Sequence, residues 1–262
     1  MSAARRGAKI IALCGKGGVG KTVISASIVK ILLENRQNRV LAIDADPAVG
    51  LALALGIEVK KTVDDVRNDL IRRVQAGESN SKAALLSRLD YEMFAALVEN
   101  ENLGFLAIGR PEKEGCYCQV NHLLKDIIAS LSSHFDYVVI DGEAGLEQVN
   151  RRVMASVNYL ILVSDASAKG LQVAKSIHDL AGDAIAYKRA GLILNRIRDE
   201  AEEKRVLLPA ALECLGRVPE DDVIRGIDMR GQSILGAPDC AAISAVKQYI
   251  GSWGIPATAN HA

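Results

Sequence analysis

Short, almost unbroken apolar runs alternate with stretches of helical spacing along most of the chain. The runs are KIIALC (Lys9–Cys14), RVLAID (Arg39–Asp44), LGFLAIG (Leu103–Gly109), DYVVID (Asp136–Asp141), YLILVSD (Tyr159–Asp165) and AGLILN (Ala190–Asn195), with a weaker one at Leu215–Val218. Runs this short and this uniformly apolar predict strands whose two faces are both covered. Helical patterns open at Lys21, Ala48, Gln119, Glu147, Lys169, Glu200 and Asp239. The alternation predicts an α/β fold, with a mostly parallel sheet of about seven or eight strands and helices on both faces. One stretch, Glu58 to Asn102, breaks it: charge is dense there, and Val63, Val66, Leu70, Ile71 and Val74 recur at helical spacing. We read 58–102 as a solvated helical excursion on the sheet edge, within a single domain that spans 1–262.

Composition narrows the class. A chain of 262 residues, 49% of them hydrophobic, has ample material for one large core. Lys and Arg total 32 and so do Asp and Glu, giving a formal net charge of +0. No overall positive field is present to draw the chain to nucleic acid or an anionic bilayer. The apolar run Ile10–Leu13 behind Arg5 and Arg6 is too short for a signal segment, and no stretch is long enough to span a membrane. The expectation is a cytoplasmic protein with neither nucleic acid nor membrane as partner. Five cysteines, an odd count in a reducing compartment, do not suggest a disulfide framework. Cys14, Cys214 and Cys240 stand singly in or beside apolar segments and are expected to be small buried thiols.

The strongest chemical signal is GKGGVGKT, Gly15 to Thr22, which follows a predicted strand and opens a predicted helix. It fits G-x-x-x-x-G-K-[ST], a loop whose backbone N–H groups turn inward onto phosphate oxygens at a helix N-terminus. The expected ligand is ATP or ADP, cradled by Gly15, Lys16, Gly17, Gly18, Val19 and Gly20 and followed by Val23. Lys21 is expected to reach the β and γ phosphates, and the Thr22 hydroxyl to ligate Mg²⁺.

The loop carries a second lysine, Lys16, and in this it resembles the deviant Walker A of the MinD/ParA class of P-loop ATPases. The resemblance implies a homodimer closed by nucleotide, with Lys16 reaching the nucleotide held by the other subunit. It also implies roles for the companion motifs. DADP (Asp44–Pro47) is similar to the first switch, in which Asp46 orients the attacking water and Asp44 supports Mg²⁺ through its water shell. YVVIDGEAG (Tyr137–Gly145) is similar to the strand, Walker B aspartate and second switch, with Asp141 at the strand's end. LNR (Leu194–Arg196) sets Asn195, beside Arg196, against the adenine edge, and the RVPE loop with Val218 and Pro219 packs on the base. Lys16, Lys21 and Asp46 are the catalytic candidates.

Cys116 and Cys118, with one tyrosine between them, need a separate account. Cysteines two residues apart are poorly placed for a mutual disulfide. On extended backbone both thiolates face one side, which suits a soft divalent metal, yet they provide only half of the ~4 ligands such a site takes. A two-fold dimer supplies the other half. The run GRPEKEGCYCQVNHLL (Gly109–Leu124), with DYVVIDGEAGLE and NRR (Asn150–Arg152), resembles the nickel-insertion ATPases of the CooC/AcsF type, which mature carbon monoxide dehydrogenase and acetyl-CoA synthase. That resemblance runs from about Lys9 to the C-terminal helix. It implies an ATP-hydrolysing metallochaperone that binds Ni²⁺ or Zn²⁺ through Cys116 and Cys118 of two subunits and serves such a client enzyme. Gly142, Gln148 and Val23 depart from the family's pattern. An iron–sulfur carrier and a positioning ATPase stay open as alternatives. His122 is expected to be exposed or capping, with an accessory ligand role as its alternative; His134, His178 and His261 show no partnering pattern.

Overall fold

The structure is a computed structural model that describes residues 7–76, 89, 91–109, 118–142, 153 and 156–255. Its strands are β1 (Lys9–Cys14), β2 (Val40–Asp44), β3 (Val98–Asn100), β4 (Leu103–Ala107), β5 (Tyr137–Asp141), β6 (Ser156–Ser164), β7 (Ala186–Ile197) and β8 (Cys214–Pro219). Among the described residues they form one 8-stranded sheet in the order β3-β4-β2-β5-β1-β6-β7-β8. Every pairing is parallel except β3 with β4. Among the described residues the numbered helices are α1 (Lys21–Leu33), α2 (Gly50–Leu55), α3 (Val63–Gln75), α4 (Cys118–Ser132), α5 (Ala168–Ala184), α6 (Glu200–Arg205), α7 (Asp222–Met229) and α8 (Ala241–Ser252), and residues 91–96 are helical as well.

Alternate residues of the central strands feed two separate cores, which is why those strands carry so few polar positions. Ala12, Leu41, Ile43, Val138, Ile140 and Leu160 pack with Val66 of α3, Ile128 of α4 and Ala174 of α5. Ile11, Leu13, Ala42, Val139, Ile161 and Val163 pack on the other face with Ile28 of α1, Leu51 of α2 and Val246 of α8. No helix among the described residues is long and apolar enough to cross a membrane.

Several elements differ from the pattern-based expectation. β6 starts at Ser156 and β7 at Ala186, well before their apolar runs, and Ser156 pairs with Ala186. Backbone pairing thus persists past the apolar runs, where Val157 still enters the core beside Ala181 of α5 while polar side chains such as Arg189 are exposed. β3 was not anticipated; its three residues turn back on β4 through Glu101, which sits at φ 48. The region 58–102 therefore holds a strand as well as α3 and the helical residues 91–96, while residues 77–88 and 90 lie outside the described residues. The helix expected from Glu147 also lies outside them. α2 opens at Gly50 rather than Ala48, because Asp46 turns the chain first: its carbonyl accepts from Val49 N at 3.0 Å and its carboxylate from Ala48 N at 2.9 Å. α4 opens at Cys118 and α5 at Ala168, each one residue early, and α8 opens at Ala241 rather than Asp239. Cys14 is buried as expected, but Cys240 is half-buried and Cys214 is exposed. Cys214 begins β8, the edge strand of the sheet among the described residues. His134 does find a partner, the Ser130 carbonyl 3.1 Å from its Nδ1.

α7 was missed as well, being eight residues squeezed between Pro219 and Gly231. Asp221 makes it possible. One carboxylate oxygen accepts from Val223 N at 2.9 Å and the other from Ala242 N at 3.1 Å, so a single side chain caps α7 and ties it to α8. Partial burial works against its charge, but the N–H donors of Ala242, Val223 and Ile224 hold the carboxyl below the usual range. A depressed folded pKa means that this stabilisation is present above the unfolded value and is lost as pH falls through the folded one. Asp221→Ala is expected to lower the unfolding free energy by about 1–2 kcal/mol at neutral pH, with the deficit shrinking below about pH 4. Urea titrations of both proteins at the two pH values check it.

Candidate functional site

β1 ends at Cys14 in the middle of the sheet, between β5 and β6, and the chain leaves its C-terminal edge as Gly15–Gly20 before α1 begins. Two glycines are required by contact. A Cβ on Gly15 would lie 2.1 Å from the Val163 carbonyl oxygen of β6, and one on Gly20 would lie 2.3 Å from Asn195 Nδ2. Gly20 also sits in the left-handed region, at φ 89 and ψ 25, as the N-cap of α1. Val19, only 1% exposed, drops its side chain into the core and anchors the loop from below. The result is a glycine loop feeding a helix N-terminus, the arrangement that binds anions through backbone N–H groups and the helix dipole. Lys21 is buried beneath it and donates from Nζ to the Lys16 carbonyl at 3.2 Å. Lys16 itself is half-buried, and no carboxylate among the described residues forms an ion pair with it.

Beside the loop stand two carboxylates. Parallel register places Asp44 of β2 opposite Asp141 of β5, and Asp141 opposite Leu13 of β1. Asp44 is 0% exposed and Asp141 1%. Burial pushes the Asp141 carboxyl up to about 6, against the opposing pull of the Thr22 and Ser25 hydroxyls and the Lys21 ammonium. The Ser25 hydroxyl donates to it at 3.0 Å. Burial, and then the neighbouring Asp141, push Asp44 up to about 7, although backbone N–H groups of Asp46, Leu51 and Ala52 oppose the rise. Leu51 N donates to it at 2.8 Å and Asp46 N at 3.1 Å, so Asp44 anchors the first turn of α2. Two carboxyls starved of solvation next to the Thr22 hydroxyl form a hard-oxygen donor set that fits Mg²⁺, a cation that keeps waters and takes further ligands from phosphate. Asp46 is half-buried one turn away, and Val49 after it adopts a left-handed conformation at φ 52, rare for a β-branched residue. Cys14 lies beneath the loop with its thiol pushed up to about 12 by burial, so it packs and does not ligate.

On the far side of α1's first turn lies a cleft of about 340 Å³. Asn195, Arg196, Val218 and Pro219, the four residues expected around a base, line it together with Ile224 and Arg225 of α7. Asn195 and Arg196 also reach back to the phosphate loop, donating to the carbonyls of Val19 at 2.8 Å and Gly18 at 3.1 Å. Ser25 and the α7 residues were not foreseen. Ser25 follows Lys21 by one helical turn, which puts it on the face that meets β5, a signal that spacing alone contains. Cys116 lies outside the described residues. Cys118 opens α4, and its side chain is outside them too.

The buried charge gives a prediction with a sign. The folded Asp141 carboxyl titrates near 6, above the unfolded value of about 3.9, so ionising it subtracts from stability as pH rises between those values and subtracts fully above them. In nucleotide-free protein, Asp141→Asn is expected to raise the urea midpoint at pH 8, with the gain closing below about pH 4. The same variant should lose the Mg²⁺-dependent part of its nucleotide affinity, by at least about tenfold. A midpoint at pH 8 equal to or below that of the unaltered protein contradicts the burial argument.

A family model described as an AAA domain matches residues 8–185. The chain is 38% identical over 233 residues to an uncharacterized ATP-binding protein of Methanocaldococcus jannaschii, covering 88% of this chain and 92% of that one. It is 29% identical over 233 residues to the carbon monoxide dehydrogenase accessory protein CooC of Rhodospirillum rubrum, covering 85% and 88%. Among solved structures, the septum site-determining protein MinD of Pyrococcus horikoshii, complexed with Mg-ADP, superposes with a TM-score of 0.62 at 25% identity, over 95% of this chain and 96% of that one. The chain belongs to the AAA-domain family, as a P-loop ATPase of the MinD/ParA class.

Proposed function

We propose that the chain is an ATP-hydrolysing metallochaperone: it carries Ni²⁺ or Zn²⁺ on Cys116 and Cys118 at a nucleotide-controlled dimer interface and assists nickel insertion into carbon monoxide dehydrogenase or acetyl-CoA synthase. The observation that carries this reading is topological. Asp44 and Ala107 are register partners at the C-terminal ends of β2 and β4, so Ile108 and Gly109 leave the sheet from the same edge as the phosphate loop, with Cys116 and Cys118 following soon after in the sequence. Ligands in open α/β sheets bind along that edge. The relation to CooC at 29% identity points to the same class of client.

In this reading ATP enters with its base in the cleft of Asn195 and Pro219 and its phosphates on Gly15–Thr22. Thr22 and Asp141 would hold Mg²⁺, which would supply positive charge beside the phosphates. Lys21 exchanges the Lys16 carbonyl for phosphate oxygen, which frees the backbone of Lys16 as its ammonium turns to the nucleotide of the other subunit. Asp46 accepts a hydrogen bond from the attacking water. Water adds to the γ phosphorus as the bond to the bridging oxygen breaks, leaving ADP and phosphate. Loss of the γ phosphate loosens the dimer, splits the shared thiolate set and releases the metal. A positioning ATPase is less well supported, because α8 turns Ile243, Val246 and Ile250 into the core and so offers them to no bilayer.

Replacing both Cys116 and Cys118 with Ala is expected to abolish stoichiometric Ni²⁺ and Zn²⁺ binding while leaving ATP affinity within about twofold; unchanged metal content in the purified variant contradicts the reading. Lys16→Ala is expected to lower ATP-dependent dimerisation and turnover by at least about tenfold, as followed by sedimentation and phosphate release. Turnover equal to that of the unaltered protein removes the role across the interface.

A further inference from the structure

Asn195 and Arg196 do more than border the base cleft. Arg196 Nη1 donates to the Gly18 carbonyl at 3.1 Å, and Asn195 Nδ2 donates to the Val19 carbonyl at 2.8 Å. Asn195 is 5% exposed and also fills the space that a Cβ on Gly20 would need. The end of β7 thus grips consecutive residues of the loop. Arg196 sits in the left-handed region at φ 59, uncommon for a residue with a side chain, and this bend accompanies the return of its guanidinium onto the loop.

The consequence follows from peptide geometry. No cis peptide bond occurs among the described residues. In a trans peptide plane the carbonyl of one residue and the N–H of the next point in opposite directions. Fixing the Gly18 carbonyl toward Arg196 therefore turns Val19 N–H away from β7, and fixing the Val19 carbonyl toward Asn195 does the same for Gly20 N–H. Those N–H groups belong to the nest that receives phosphate. We propose that Asn195 and Arg196 are positioning residues for the phosphate loop, which aim the Val19 and Gly20 N–H groups and so set affinity for polyphosphate itself, with or without a base. The inference rests on the reading of Gly15–Thr22 as a phosphate site.

The test uses inorganic tripolyphosphate with Mg²⁺, a probe with no base, titrated calorimetrically into the full chain alongside ATP. Arg196→Ala is expected to weaken tripolyphosphate binding by about three- to tenfold, the scale of one lost charge-assisted hydrogen bond at an exposed site. Arg196→Lys should recover most of that loss, since an ammonium still donates to the Gly18 carbonyl. Asn195→Asp should weaken binding at least as much, because an acceptor then faces the Val19 carbonyl. Arg196 is exposed, so its variants keep the test sound if the buried Asn195→Asp lowers the melting temperature, measured in parallel. Tripolyphosphate affinity unchanged in Arg196→Ala, with ATP affinity reduced, overturns the inference and leaves the pair as base contacts only. An unaltered protein that binds neither tripolyphosphate nor ATP overturns the phosphate-site reading, and this inference with it.

Discussion

Asp44 and Asp141 face each other at the ends of adjacent parallel strands, both stripped of water, and the organisation of this protein follows from how that charge is contained. Isolated buried carboxylates are among the most unfavourable groups a fold can hold. Here they are surrounded by donors: the Ser25 and Thr22 hydroxyls and the Lys21 ammonium around Asp141, and the N–H groups opening α2 around Asp44. The containment is incomplete, since both carboxyls still titrate well above their ordinary range. A divalent cation, which in the proposed function Thr22 and Asp141 would hold, would supply the missing positive charge. The site is thus built at a stability disadvantage that a bound ligand would offset, a pattern common where binding is the function.

The same contacts tie the site to its surroundings. Asp44 connects the cation position to α2, whose entry passes through Asp46 and the left-handed Val49. Lys21 connects it to Lys16, and β7 connects the base cleft to the loop through Asn195 and Arg196. The proposed base, phosphate and cation positions therefore share side chains. Each of these hydrogen bonds is of modest net strength, but those from Lys21, Asn195 and Arg196 all act on one short segment, where their effects are not independent.

Much of this was legible in the residues. The central strands announced themselves because burial on both faces leaves no room for polar positions, and the phosphate loop because glycines are forced wherever its backbone meets Val163 and Asn195. What the pattern hid was short or two-sided. β3 and α7 are too brief for periodicity to register, and β6 and β7 extend past their apolar runs because backbone pairing tolerates exposed polar residues such as Ser156 and Arg189 between partly buried ones. Cys214 looked like a core thiol because its neighbours are apolar, whereas its strand is the edge of the sheet. The hydrogen bonds of Asn195 and Arg196 to the loop needed coordinates, since no spacing rule relates positions 195 and 196 to carbonyls at 18 and 19.

The most direct test of the account is the thermal midpoint of the full chain at pH 8 with ADP alone, with Mg²⁺ alone and with both. If the buried carboxylate pair is completed by a cation bridging it to phosphate, the two ligands together raise the midpoint by clearly more than the sum of their separate effects. A rise with ADP that Mg²⁺ leaves unchanged would contradict it.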